Sequence, residues 1–199
     1  MATLTFAGRD RYTTLRGTTH IDAPAHLIPG GRTMDQVSLS ELVGDALLLD
    51  AANSVPLGEH AALTPADLGL EPYETVPRIV IVRTGWDRYF GEERYLRHPY
   101  LTREAAAELW RRGMRVLGVD APSPDRAVVP DEPADLAVHE IVLRGDGLIV
   151  ENLRNLASLS AHSRVGFFPL PLAGSDGAPV RAVCFGSATA AATAAQTRC

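Results

Sequence analysis

A chain of 199 residues can bury one sizeable core, and its 46% apolar content is that of a soluble globular protein. The net charge of −5 offers no basic face for nucleic acid, and no apolar run is long enough to span a bilayer. All 19 basic residues are Arg, a coding bias rather than a functional signal, and the two cysteines make neither a disulfide framework nor a zinc pattern.

Residues 1–14 are polar and short of core residues, and read as an edge strand or a partly ordered arm. They lack the charged start and apolar core of a signal peptide, so a reducing cytoplasm is the expected compartment. Gly30-Gly31 marks a loop, and Ser38 caps a short helix. Ala46–Asp50 is a compact apolar run, a buried strand. Thr64-Pro65 reads as a cap followed by proline at the first helical position. Arg78–Arg83 is a second buried strand, rich in β-branched residues. Residues 87–100 form a loop over a site.

Thr102 caps a helix that runs to Arg112 and stops at Gly113. Val116–Asp120 is a third strand, Pro133–Leu143 a helix closed by Arg144-Gly145, and Leu148–Val150 a fourth strand. Ala182–Phe185 reads as another, with Cys184 packed inside it. The tail, residues 188–199, is rich in Ala and Thr, ends at Cys199 and is expected to fray. Strands alternating with helices predict a single α/β domain, residues 1–199, and leave its topology open.

The chemistry concentrates between Arg16 and His26. If residues 16–22 are extended, Arg16, Thr18, His20 and Asp22 share one face. Pro24 breaks the run, so His26 can return to the same pocket. A His and an Asp two apart on a strand can bind one cation between them. The same pair also occurs as a surface hydrogen bond, or as an Asp that fixes an imidazole tautomer.

The longer pattern, His20-x-Asp22-x-Pro24-x-His26, resembles the signature of the cyclase family, His-x-Gly-Thr-His-x-Asp-x-Pro-x-His. The best-known activity of that family is bacterial kynurenine formamidase. The resemblance continues in Arg83-Thr-Gly-Trp86, in Gly118-Val-Asp120-Ala-Pro-Ser123, and in His139 followed by Glu151-Asn-Leu-Arg-Asn-Leu156. The blocks keep the family's order from about Gly17 to Phe185. Arg16 stands where the family has its first histidine, and members usually carry a further segment ahead of the motif.

The resemblance implies a central mixed β-structure flanked by helices, of the swivelling β/α/β type. It implies a two-cation site, with Asp22, His139 and Glu151 matching the ligands of one ion. His20 and the two carboxylates remain for the other, and His26 matches the general acid/base. A guanidinium is always charged and only donates, so Arg16 cannot ligate a cation. Either the site holds one ion, zinc or manganese, with Arg16 replacing the second charge and taking a substrate carboxylate or oxyanion, or it holds no metal. The first reading is preferred, because Asp22 and Glu151 in one pocket would repel without a cation or proton between them.

The implied activity is hydrolysis of a small cyclic or aryl amide, lactam, lactone or ester. Trp86 and Tyr89 are candidates to stack on an aryl ring, with core packing the alternative. Asp120 and Ser123, at the end of a strand, are candidates to orient a metal ligand, although Asp120 could equally cap a turn. His60, His98 and His162 read as loop or surface residues. There is no phosphate loop and no Gly-x-Ser-x-Gly elbow. Two rivals remain: a polyketide-type cyclase of secondary metabolism that uses His26 and Arg16 for proton transfer and enolate stabilisation, and a non-catalytic protein that binds a small acid or a partner. A homodimer or higher homo-oligomer is expected from the resemblance, with no nucleic acid or membrane partner.

Overall fold

The computed structural model describes residues 18–54, 57–127 and 135–185. Arg16, the expected N-terminal arm, the first residues of the helix predicted from Pro133, and the tail with Cys199 lie outside the described residues. In chain order the elements are β1 (His20–Asp22), α1 (Leu39–Leu42), β2 (Val43–Asp50), α2 (Ala51–Ser54), β3 (Ala62–Leu63), β4 (Ile79–Arg83) and β5 (Tyr100–Leu101). Then follow α3 (Arg103–Arg112), β6 (Val116–Val119), α4 (Ala137–Arg144), β7 (Leu148–Glu151), β8 (His162–Pro169) and β9 (Gly177–Cys184). A short 3-10 turn, Pro24–His26, follows β1 directly.

Seven strands close into a barrel in the order β1-β7-β6-β4-β2-β8-β9, and β1 pairs with β9 to complete it. Neighbours among β2, β4, β6 and β7 are parallel, while β1, β8 and β9 join antiparallel. This is the mixed β-structure flanked by helices that the resemblance implies. β3 and β5 form a separate two-stranded parallel sheet.

Alternation along the strands builds two cores. Ile21, Ala46, Ile79, Ile81, Val116, Leu148, Val150, Val165 and Phe167 fill the barrel. Leu47, Leu49, Val80, Val82, Leu117, Val119 and Ile149 face the other way and pack under α3 and α4 through Ala105, Leu109, Val138 and Val142. Burial on both faces is why these strands read as continuous apolar runs. Thr102 caps α3 as predicted, its side chain accepting from Ala105 N, and Gly113 ends the helix at a φ of 120°.

Three local readings need correction. Thr64-Pro65 opens only a turn: Thr64 and Asp67 exchange the reciprocal bonds of a cap, but Gly69 then turns left-handed at φ 63°. β8 has no counterpart in the sequence reading. Cys184, expected to be packed, is exposed on β9.

Candidate metal centre

Strand parity aims the site. His20 and Asp22 flank Ile21, whose side chain enters the barrel, so both turn to its outer face. On β7, Val150 points inward and Glu151 outward for the same reason. The antiparallel register sets His20 opposite Glu151, and His20 Nε2 lies 3.1 Å from Glu151 Oε2. His20 Nε2 is also 3.8 Å from Asp22 Oδ2. α4 brings His139 to the same face, with Nε2 3.9 Å from Asp22 Oδ2 and 3.6 Å from Glu151 Oε1. Pro24 starts the 3-10 turn that returns His26, whose Nδ1 lies 3.8 Å from Asp22 Oδ1. His20, Asp22, His139 and Glu151 are buried, whereas the His26 side chain is 34% exposed.

Both buried imidazoles have their tautomer fixed from behind. His20 Nδ1 lies 2.9 Å from the Thr18 carbonyl, which only accepts, so the neutral ring carries its proton there and leaves Nε2 bare. Asn152, buried and left-handed at φ 57°, steadies that carbonyl by donating to it at 3.1 Å, and it accepts from the Tyr95 hydroxyl at 2.7 Å. His139 Nδ1 lies 2.5 Å from Asp125 Oδ2. The Asp125 carboxylate also accepts from Val138 N at 2.7 Å and His139 N at 3.1 Å, so one side chain caps the start of α4 and aims its histidine.

The charges of the cluster are compatible with a cation. Burial pulls His20 and His139 down, but the carboxylates around them prevail. Glu151 and Asp22 raise His20 to about 9; Asp125, Asp22 and Glu151 raise His139 to about 10. Burial pushes Glu151 above the usual carboxylate range, while the surrounding imidazoles hold Asp22 below it against its own burial. Glu151 Oε1 is buried with no hydrogen-bond partner among the described residues. Ligand atoms of His20, Asp22 and Glu151, and likewise of Asp22, His26 and His139, lie within 4.8 Å of one another. Two imidazoles that offer Nε2 once deprotonated, and two carboxylates, one with an oxygen that has no hydrogen-bond partner among the described residues, suit a divalent cation.

The structure thus brings together His20, Asp22, His26, His139 and Glu151, while Arg16 lies outside the described residues. The other candidates are placed differently. Trp86 is fully buried, and its indole N–H points to the carbonyls of Arg94 and Tyr95, so its ring serves packing. Tyr89 meets Trp86 edge-on and lies against the guanidiniums of Arg88 and Arg94. Among the described residues the Asp120 carboxylate accepts its hydrogen bonds from Thr84 and Gly85, so it ties a turn rather than a metal ligand. Ser123 accepts from Asp125 N, one step from the residue that does hold His139. His98 is buried against the Pro99 carbonyl, and His162 is exposed at the start of β8.

Sequence reasoning missed Asp125. Its signal is an Asp in a Pro-rich loop ahead of a helix, but it stands 14 positions before His139, too far for a cap to be read locally. Gly177 was missed as well. It pairs with Asp22 across β1 and β9, and a Cβ there would lie 2.8 Å from Ile21 O and 3.0 Å from Asp22 Oδ1. Gly177→Ala should therefore displace the Asp22 carboxylate and weaken divalent-cation affinity by about tenfold, on the scale of lost ligand support. A metal titration of the folded variant measures this.

Comparison with known proteins agrees with the geometry. Residues 9–126 match the family model described as "Putative cyclase". The kynurenine formamidase of Bacillus cereus is 30% identical over 165 residues, covering 83% of this chain and 73% of that protein. Among solved structures, isatin hydrolase A from Ralstonia solanacearum is similar with a TM-score of 0.72 at 25% identity, over 83% of this chain and 70% of that one. A structure described as a predicted metal-dependent hydrolase from Bacillus stearothermophilus is similar with a TM-score of 0.66 at 25% identity, over 85% and 77%. The chain belongs to the cyclase family and is an enzyme of that family.

Proposed function

We propose that this enzyme hydrolyses a small aryl amide or lactam, or a related ester or lactone, with one zinc or manganese ion held by His20, Asp22, His139 and Glu151. The observation that carries this reading is the division of labour around Asp22. His20 and His139 approach Asp22 Oδ2 and the Glu151 carboxylate from buried positions, while the His26 ring, 34% exposed, approaches Asp22 Oδ1. The kynurenine formamidase and isatin hydrolase relatives support the same class of substrate.

A divalent cation in such a site supplies Lewis acidity toward a carbonyl and lowers the pKa of a coordinated water. The residues of the chain do the rest. His26, at the open side of the cluster, takes a proton as the water oxygen adds to the carbonyl carbon. It returns that proton to the leaving nitrogen or oxygen as the C–N or C–O bond breaks, giving a free amine or hydroxyl and a carboxylic acid, which ionises by releasing the water's second proton to solvent. Asp125 and Thr18 hold the two buried imidazoles so that neither competes for that proton. Arg16 is assigned the substrate carboxylate or the developing oxyanion.

The test is turnover by zinc- or manganese-loaded enzyme of a formylated aryl amine, isatin, an aryl ester and a lactone. Hydrolysis of at least one, lost in His26→Ala, is expected. Fully loaded enzyme that hydrolyses none of them would overturn the reading.

A further inference from the structure

We propose that Asp176, at the corner between β8 and β9, is a positioning residue for His26. It holds the ring by Nδ1 and leaves Nε2 as the nitrogen that carries protons. The inference rests on the proposed hydrolysis for its catalytic meaning, but its geometry stands independently.

Asp176 Oδ2 lies 3.4 Å from His26 Nδ1, and among the described residues this is the only ion pair that Asp176 makes. The other group near that nitrogen is Asp22 Oδ1 at 3.8 Å, which belongs to the cation cluster. A neutral imidazole has one donor and one acceptor nitrogen. Among the described residues the carboxylates beside this ring lie on its Nδ1 side, so the proton belongs on Nδ1, and Nε2 keeps the lone pair.

Ala23 fixes both partners through its backbone. Its N–H donates to the Asp176 carbonyl at 2.9 Å, and its carbonyl accepts from His26 N at 2.9 Å. The corner is tied down on either side of Asp176. Met34 N donates to Ser175 O at 2.9 Å, Gly174 N donates to Asp35 Oδ1 at 3.0 Å, and Gly177 pairs with Asp22. The Asp176 side chain therefore leaves a braced backbone directly beside the histidine, although the two residues stand 150 positions apart in the sequence.

The test uses zinc-loaded parent enzyme and the variants Asp176→Asn, Asp176→Ala and Asp176→Glu. Metal content, kcat and KM on a formylated aryl amine, and long-range proton–nitrogen NMR of the imidazoles in alkaline buffer are measured together. The chain has six histidines, and a His26→Ala spectrum identifies the signal of His26. The expected parent ring is protonated on Nδ1. Asp176→Asn should shift the proton toward Nε2 and lower kcat about 10- to 100-fold, a part of what acid–base catalysis contributes, with KM and metal content little changed. Asp176→Glu should restore the Nδ1-protonated form and recover kcat relative to Asn. A parent ring protonated on Nε2, or an Asn variant with the parent's tautomer and kcat, would overturn the proposal. If the parent hydrolyses no probe, the hydrolase reading fails, and the ring spectra alone decide the role of Asp176.

Discussion

His26→Ala is expected to lower kcat by about 10²- to 10⁴-fold, the usual worth of a positioned acid–base group, while the protein keeps its metal. The expectation follows from where the ring sits. His20 and His139 are buried, tautomer-fixed and aimed at Glu151 and Asp22 by Nε2. The His26 side chain is 34% exposed and, of the buried cluster's carboxylates, comes nearest to Asp22, with Asp176 at the surface on the same side of the ring. Truncation to Ala removes a proton carrier without opening the buried ligand set. Steady-state kinetics and elemental analysis on the same preparation check both halves. Loss of metal from His26→Ala would make this ring a ligand, as its distance to Asp22 also permits.

Metal binding should release about two protons near neutral pH, so apparent affinity should rise about 100-fold per pH unit from pH 7 toward 9. In the metal-free protein, His20 is raised to about 9 and His139 to about 10, because neighbouring carboxylates outweigh the cost of burial. Both rings are then protonated at neutral pH and must lose a proton from Nε2 to ligate. The sign for stability follows from the same shifts. Folded-state values above the ordinary 6.5 mean that the folded chain binds more protons than the unfolded one between 6.5 and about 9 to 10. The metal-free protein therefore has this stabilisation in full below pH 6.5 and loses it as pH rises through about 9 and 10. In the metal-loaded protein the two trends cancel: its ligand rings, like those of the unfolded chain above pH 6.5, carry no extra proton, so its stability should be nearly flat over that range. Calorimetric titrations in buffers of different ionisation enthalpy count the protons, and melting curves with and without chelator test the falling slope of the metal-free protein against the flat one of the loaded protein. Affinity independent of pH would contradict the account.

The strands were legible where burial is two-sided. Arg78–Arg83 and Val116–Asp120 read as apolar runs because one side of each faces the barrel and the other faces α3 and α4. β8 was not legible, because only Val165, Gly166 and Phe167 are buried within it and a proline ends it. Cys184 was misread because only the first residues of β9 are buried, and its end, from Arg181 to Cys184, is largely open to solvent. Within the site, His20 and Asp22 were legible from their spacing on an extended segment. His139 and Glu151, more than a hundred residues away, came from the order of motif blocks and not from local pattern. Asp125, Asp176 and Gly177 act across tertiary contacts: a cap reached from a loop, a carboxylate beside a ring, and a missing Cβ opposite Asp22. Composition and periodicity carry no trace of such contacts. Trp86 was left open between stacking on a ligand and core packing, and its indole N–H, bonded to backbone carbonyls inside the fold, places it in the core.

The most direct measurement is the metal content of untagged protein by elemental mass spectrometry, with Asp22→Ala and Glu151→Ala purified alongside. The account predicts about one zinc or manganese per chain in the parent and loss from both variants, because Asp22 and Glu151 are the buried carboxylates around which the imidazoles converge. A parent that takes up no metal, even after dialysis against zinc or manganese, would contradict it.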